Sequence, residues 1–266
     1  MLLEGKNAVV YGAGGAVGGA VARGFAGAGA NLFLAGRTLE KVDAVAADIV
    51  SAGGMAQAAK VDALDQQSVD EHADAVAAAA GRIDISFNAV GKDQLDIGVP
   101  LVDLSPEQFM LPLTTWATTH FLTATAAARH MAPAGTGVIL TLSSSVAKMP
   151  AAMAGGFLGA CNVVESLSQQ LAAELGPRGI RVICLRPAGI LESVERGSIT
   201  GDVWGRAVER MGMTLEQYLA NPQGDELLPH TVTLDNVADV ATFMASDMAG
   251  GMTATVANVS CGAVMG

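Results

Sequence analysis

Cysteine is scarce in this sequence, and so are aromatic residues and charge. The 266 residues include three cysteines, Cys161, Cys184 and Cys261, with no C-x-x-C pair. They are too few and too scattered for a disulfide framework, which predicts a reducing, cytoplasmic setting. Only 15% of residues are charged, with 15 Lys+Arg against 26 Asp+Glu and a formal net charge of −11. No basic patch is present, which argues against nucleic acid or an anionic membrane surface as partner, since both need clustered Lys and Arg. His72, His120, His130 and His230 lack metal-ligand spacing, so no metal is expected. Residues 1–6 lack a basic region followed by an apolar stretch, which predicts no secretory leader.

One uncharged run is long enough to raise a membrane question, Gln108 to Ala128. Its six threonines, its proline and His120 are poor lipid-facing chemistry. An uncharged helix in a globular chain is buried on several sides. The run therefore predicts a core helix that also faces a second copy of the chain.

What is abundant is apolar residues, 51% of the chain, far too many for disorder. They are arranged as strand, helix, strand, helix. Short apolar runs at Asn7–Tyr11, Asn31–Ala35, Ala56–Val61, Ile83–Asn88, Gly137–Leu142, Ile180–Leu185 and Thr253–Val259 predict strands. Helical stretches lie between them, at Ala16–Ala28, Leu39–Ser51, Ser68–Ala80, around Trp116, at Ala152–Leu175 and at Asp235–Ser246. Continuous apolar strands separated by helices predict a single α/β domain over residues 1–266. Its core is a doubly wound, Rossmann-type parallel sheet of about seven strands, with helices on both faces. The ligand site of such a sheet lies at the carboxyl ends of the strands. Residues 191–234 are the least regular part and predict a mobile segment covering the substrate.

The first strand runs into Tyr11-Gly12-Ala13-Gly14-Gly15-Ala16-Val17-Gly18. Glycines between a strand and a helix let the backbone approach a pyrophosphate, which the helix N-terminus stabilises. Glycine there also serves close packing of strand on helix. The second strand ends Gly36-Arg37-Thr38, with no carboxylate for a ribose 2′-hydroxyl. Arg37 offers a fork suited to a 2′-phosphate and Thr38 a hydroxyl beside it, so NADP(H) is expected in preference to NAD(H).

On these motifs the chain resembles the short-chain dehydrogenase/reductase family over nearly its whole length. The turn is similar to that family's T-G-x-x-x-G-x-G, with Tyr11 in place of Thr and Ala16 in place of the middle Gly. Asp62 and Ala63 match its adenine-contacting position, Ile83–Gly91 its I-D-x-L-V-N-N-A-G segment, and Arg186–Ile190 the P-G segment that touches nicotinamide. Gly12, Gly14, Gly15, Val17, Gly18, Arg37, Thr38, Asp62, Ala63, Asn88, Ala89, Gly91, Pro187 and Ile190 are the cofactor-binding candidates that follow.

The resemblance also implies a catalytic serine, tyrosine, lysine and asparagine. The serine falls on Ser144. The tyrosine position, thirteen residues on, holds Phe157, the lysine position Cys161 and the asparagine position Trp116. A phenylalanine has no proton to give, and a thiol does not imitate an ammonium. Lys148, Lys92, Asp93, His120 and Arg186 stand near enough in sequence to be weighed as substitutes. Each has a plainer role as a solvated loop residue or a satisfied core group. Met149 and Met153 flank Phe157 and predict an apolar pocket over the nicotinamide.

Three functions fit these readings. The first is an NADP(H)-dependent oxidoreductase with a non-standard site, acting on a small apolar substrate that needs little acid help. The second is a non-redox isomerase, cyclase or lyase using Ser144. The third is a non-catalytic NADP(H)-binding protein. The resemblance further implies a homodimer or homotetramer packed through the Trp116 and Phe157 helices.

Overall fold

The computed structural model describes residues 1–91, 96–149, 151–195, 199–220 and 226–265. Seven parallel strands form one sheet in the order β3-β2-β1-β4-β5-β6-β7. They are β1 (Asn7–Tyr11), β2 (Asn31–Gly36), β3 (Met55–Lys60), β4 (Ile85–Asn88), β5 (Gly137–Leu142), β6 (Ile180–Pro187) and β7 (Thr255–Val259). The chain winds from β1 outward to β3, returns to β4 beside β1, and then winds the other way. That reversal opens a crevice at the carboxyl ends of β1 and β4.

Side chains alternate across each strand, and two cores result. Ala8 and Val10 of β1 face a core closed by α1 (Ala16–Gly27), α2 (Leu39–Ser51) and α9 (Leu234–Ala245). Val9 and Tyr11 face the other core, closed by α3 (Gln66–Ala80), α4 (Pro106–Met131) and α5 (Phe157–Leu175). Ser105 caps α4 in a reciprocal box with Gln108, and Pro106 stands at its first position, so the uncharged run is the middle of a helix with a firm start. No helix among the described residues is long and apolar enough to cross a membrane.

Two differences from the sequence reading go beyond a residue or two at an element's end. The helix expected from Ala152 begins at Phe157. Met153 and Gly155 have φ values of 60° and 57°, and the Met153 carbonyl accepts from the Gly98 amide at 2.8 Å, so residues 151–156 turn against a neighbouring loop instead of coiling. The interval 191–234, irregular by pattern, carries α6 (Glu192–Glu195), α7 (Ile199–Arg210) and α8 (Leu215–Ala220).

Candidate functional site

A cavity of about 140 Å³ opens at the carboxyl ends of β1 to β4. Of the sequence-predicted residues it gathers Gly12, Gly14, Gly15, Arg37, Thr38, Asp62, Ala63, Ala89 and Gly91 in its wall. Residues the sequence reading missed stand beside them, among them Tyr11, Lys41, Leu64, Val90 and Thr115.

Two glycines make this shape possible. Gly12 has φ +75°, and a Cβ there would sit 2.7 Å from the Ala89 backbone, so only glycine lets the β1 and β4 turns meet. A Cβ on Gly18 would overlap the Gly12 carbonyl oxygen. Gly18 and Val17 thus build the turn from behind instead of lining the cavity. The first turn of α1 has no acidic residue, and its N-cap Gly15 supplies no side-chain cap. The helix therefore presents its partial positive charge at the cavity wall.

The far wall is cationic. Arg37 and Lys41 are exposed, and their side chains enter no ion pair or hydrogen bond with another described residue. Thr38 is the N-cap of α2, yet its hydroxyl makes no capping bond. Two unpaired cations and an unused hydroxyl at a helix start, where positive charge opposes the helix dipole, are chemistry for an anion. Lys41 lies in the first turn of α2, where nothing in the sequence sets it apart from a solvated lysine. Asp62 holds its own loop, its Oδ1 accepting from the Leu64 amide at 3.0 Å.

Other candidates are placed elsewhere. Asn88 is buried with its amide fully engaged, Nδ2 donating to Thr123 Oγ1 at 2.9 Å and Oδ1 accepting from the Val90 amide at 2.8 Å. It braces the β4 turn against α4. Pro187 closes β6, and Ile190 packs in the core beside α9. Lys92 and Asp93 lie outside the described residues. His120 is a satisfied core histidine: Nδ1 donates to the Trp116 carbonyl at 2.9 Å and Nε2 accepts from the Leu142 amide at 3.3 Å. Burial lowers its pKa to about 4, against the opposing pull of the Trp116 carbonyl.

Beyond the β5 and β6 ends the setting is apolar. Trp116 meets Phe157 edge to face, with centroids 5.5 Å apart and planes at 72°. Both join Ala160, Val164, Cys184, Val203 and Ala207 in one cluster, closed from outside by α7. Cys161 is fully buried, and burial pushes its thiol up to about 12, so it is neither nucleophile nor base at neutral pH. Ser144 is half-buried at the turn after β5. The crevice beside Phe157 is walled by residues such as Ile97, Leu104 and Ala154, with neither Met149 nor Met153 in it. Met153 is exposed, on a left-handed backbone. Arg210 at the end of α7 donates to the Ile97 carbonyl at 2.8 Å and to Asp96 Oδ1 at 3.2 Å, tying α7 to the loop after β4.

Below Ser144 lies a polar network that the sequence did not reveal. Glu165 of α5 accepts from Arg186 through both oxygens and from the Ser143 hydroxyl at 2.8 Å, while Arg186 also donates to Asn258 at 2.9 Å. Burial pushes the Glu165 carboxyl up. The Arg186 fork, the Ser143 hydroxyl and the Lys148 charge outweigh it, and the group titrates below the usual carboxylate range. Arg186 is thus committed to this brace. Among the described residues no cluster of His, Cys, Asp or Glu is able to hold a metal.

A family model described as enoyl-(acyl carrier protein) reductase matches residues 12–264. The chain is 31% identical over 247 residues to D-threitol dehydrogenase of Mycolicibacterium smegmatis, covering 93% of this chain and 88% of that protein. It is 26% identical to 7alpha-hydroxysteroid dehydrogenase of Clostridium sardiniense, over 99% of this chain and 95% of that one. A short-chain type dehydrogenase/reductase of Mycobacterium marinum superposes with a TM-score of 0.83 at 27% identity, covering 99% and 97% of the two chains.

Proposed function

Because the chain belongs to the short-chain dehydrogenase/reductase family, we propose that it is an NADP(H)-dependent oxidoreductase with a non-standard active site, acting on a small apolar organic substrate. The observation that carries the cofactor reading is the unpaired Arg37 and Lys41 beside the free Thr38 hydroxyl. These three would hold the 2′-phosphate. The Gly12–Gly15 turn and the α1 N-terminus would hold the pyrophosphate, and Asp62 with Ala63 would border the adenine. When bound, the nicotinamide supplies or accepts a hydride.

The chain's own residues do the rest. Ser144, with a hydroxyl at the end of β5, orients a polar atom of the substrate. Trp116 and Phe157 keep water away from it. Neither offers an acid poised near neutral pH, and Cys161 holds its proton too tightly to relay one. That selects a substrate needing little acid help, such as an iminium, a quinone or an enoyl group protonated by water. The enoyl choice agrees with the description of the matching family model. The protein works as a homodimer or homotetramer packed through α4 and α5, which sedimentation at micromolar concentration tests.

The packing of Trp116, Phe157, Val203 and Ala207 into one cluster favours a second reading, a non-redox enzyme or a non-catalytic NADP(H)-binding protein on this scaffold. Thermal-shift titration with NADPH and NADH tests the cofactor. Ligand at a hundred times its dissociation constant adds about 2.7 kcal/mol of stability. NADPH oxidation across a panel of carbonyl, imine, quinone and enoyl compounds then separates the two readings. Consumption with any of them supports the first, and none across the panel supports the second.

A further inference from the structure

Tyr11 stands where the strand turns into the Gly-rich loop. Only 2% of it is exposed, and it is one of the residues that line the cavity. Its ring is held edge to face by His72 of α3, with centroids 5.7 Å apart. The contact is ring on ring, and the His72 Nδ1 is itself buried without a hydrogen-bond partner. The Tyr11 hydroxyl has no hydrogen-bond partner among the described residues. Burial, helped by the Asp70 charge, raises its pKa, so it stays a protonated donor through the working pH range.

Thr115 of α4 lines the same cavity, 4% exposed. Thr114, Thr119, Thr123 and Thr125 turn their hydroxyls back onto carbonyls three or four residues earlier in the helix. Thr115 does not, and its hydroxyl too lacks a partner among the described residues. Both residues line one cavity together with the apolar Ala63, Leu64 and Val90, and neither hydroxyl is spent on another described residue. A cavity that sets unspent hydroxyl donors among apolar side chains fits a heteroaromatic ring that carries acceptor nitrogens.

We propose that the Tyr11 and Thr115 hydroxyls donate hydrogen bonds to ring nitrogens of an adenine base, making them base-recognition residues of this chain. The proposal rests on the reading of the cavity as a dinucleotide site and deepens it. Its carrier, the phenol, stands at a position where the family motif has threonine.

Calorimetric titration of the intact protein with 5′-ADP and 2′,5′-ADP tests it, using Tyr11→Phe and Thr115→Val, which keep shape and remove only the hydroxyls. Each variant is expected to weaken both nucleotides by the same factor, about 3- to 10-fold. The ligand-free melting temperature should be unchanged or raised. A merely structural role would lower that temperature instead. Arg37→Ala serves as the contrast, weakening 2′,5′-ADP alone. Undiminished affinity of both hydroxyl variants for both nucleotides overturns the proposal. If the unaltered protein binds 5′-ADP but gains nothing from the 2′-phosphate, the NADP(H) preference falls and the hydroxyl comparison still stands on 5′-ADP. If it binds neither, both fall together.

Discussion

Arg186 grips Glu165 in a two-pronged fork, Nε to Oε1 and Nη2 to Oε2 both at 2.7 Å, with each side chain less than a tenth exposed. The pair joins the end of β6 to the middle of α5. Through Ser143 and Asn258 it reaches the ends of β5 and β7 as well. One buried ion pair thus sets the spacing of four elements around the turn that carries Ser144.

Removing one partner should be far worse than removing both. Glu165→Ala strands a buried guanidinium and is expected to cost about 3–5 kcal/mol in urea unfolding, whereas Glu165→Leu with Arg186→Met is expected to cost much less. The acid side of the stability profile follows from the same pair. The folded carboxyl titrates below its unfolded value near 4.5, so its contribution is complete above that pH and is lost as pH falls through the folded value. Acid unfolding followed by circular dichroism should lose this component in Glu165→Ala.

His120 and His72 predict a second pH window. Both are held neutral by burial, with pKa values lowered from 6.5 to about 4. The unfolded chain binds their protons first, so stability is complete above pH 6.5, falls between pH 6.5 and 4, and levels off below. For His120 the loss is about 3 kcal/mol. Melting temperatures from pH 7 to 4.5 should fall less steeply in His120→Gln, and less still when His72→Gln is added.

Cofactor discrimination should reside in two side chains. Arg37→Ala and Lys41→Ala are each expected to weaken NADPH by roughly tenfold or more, the scale of a charge-assisted bond, and to leave NADH nearly unaffected. Paired thermal-shift titrations read this directly.

Placing a tyrosine and a lysine at positions 157 and 161 should not create a working pair. Phe157→Tyr is tolerated at a half-buried site. Cys161→Lys places an ammonium at a fully buried position whose nearest carboxylate on the helix, Glu165, is already held by Arg186. The double variant is expected to lose about 3 kcal/mol or more, a fall of roughly 6–12 °C in melting temperature. Differential scanning calorimetry checks it.

The sheet was legible because Val9, Leu34, Phe87 and Ile139 sit in continuous apolar runs that only a strand covered on both faces tolerates. The cationic wall was half legible. Arg37 stood out at a strand end, while Lys41 lay in a helix where a lysine is unremarkable until the backbone brings it to the cavity. Glu165 was invisible for a different reason. Its partner Arg186 is 21 residues away, and no local pattern marks a carboxylate inside an apolar helix as paired. The late start of α5 escaped for a third, since the left-handed Met153 is fixed by a loop some fifty residues earlier in the chain.

The Arg210 tie to Ile97 and Asp96 carries a kinetic consequence. It joins the segment after β6 to the segment after β4, and Val203 and Ala207 on the same helix rest against Trp116 and Cys184. Moving α7 away from the space beside Trp116 parts this clasp, surrendering two hydrogen bonds and an apolar seam together, so the helix should swing as one unit and more slowly than an untied loop.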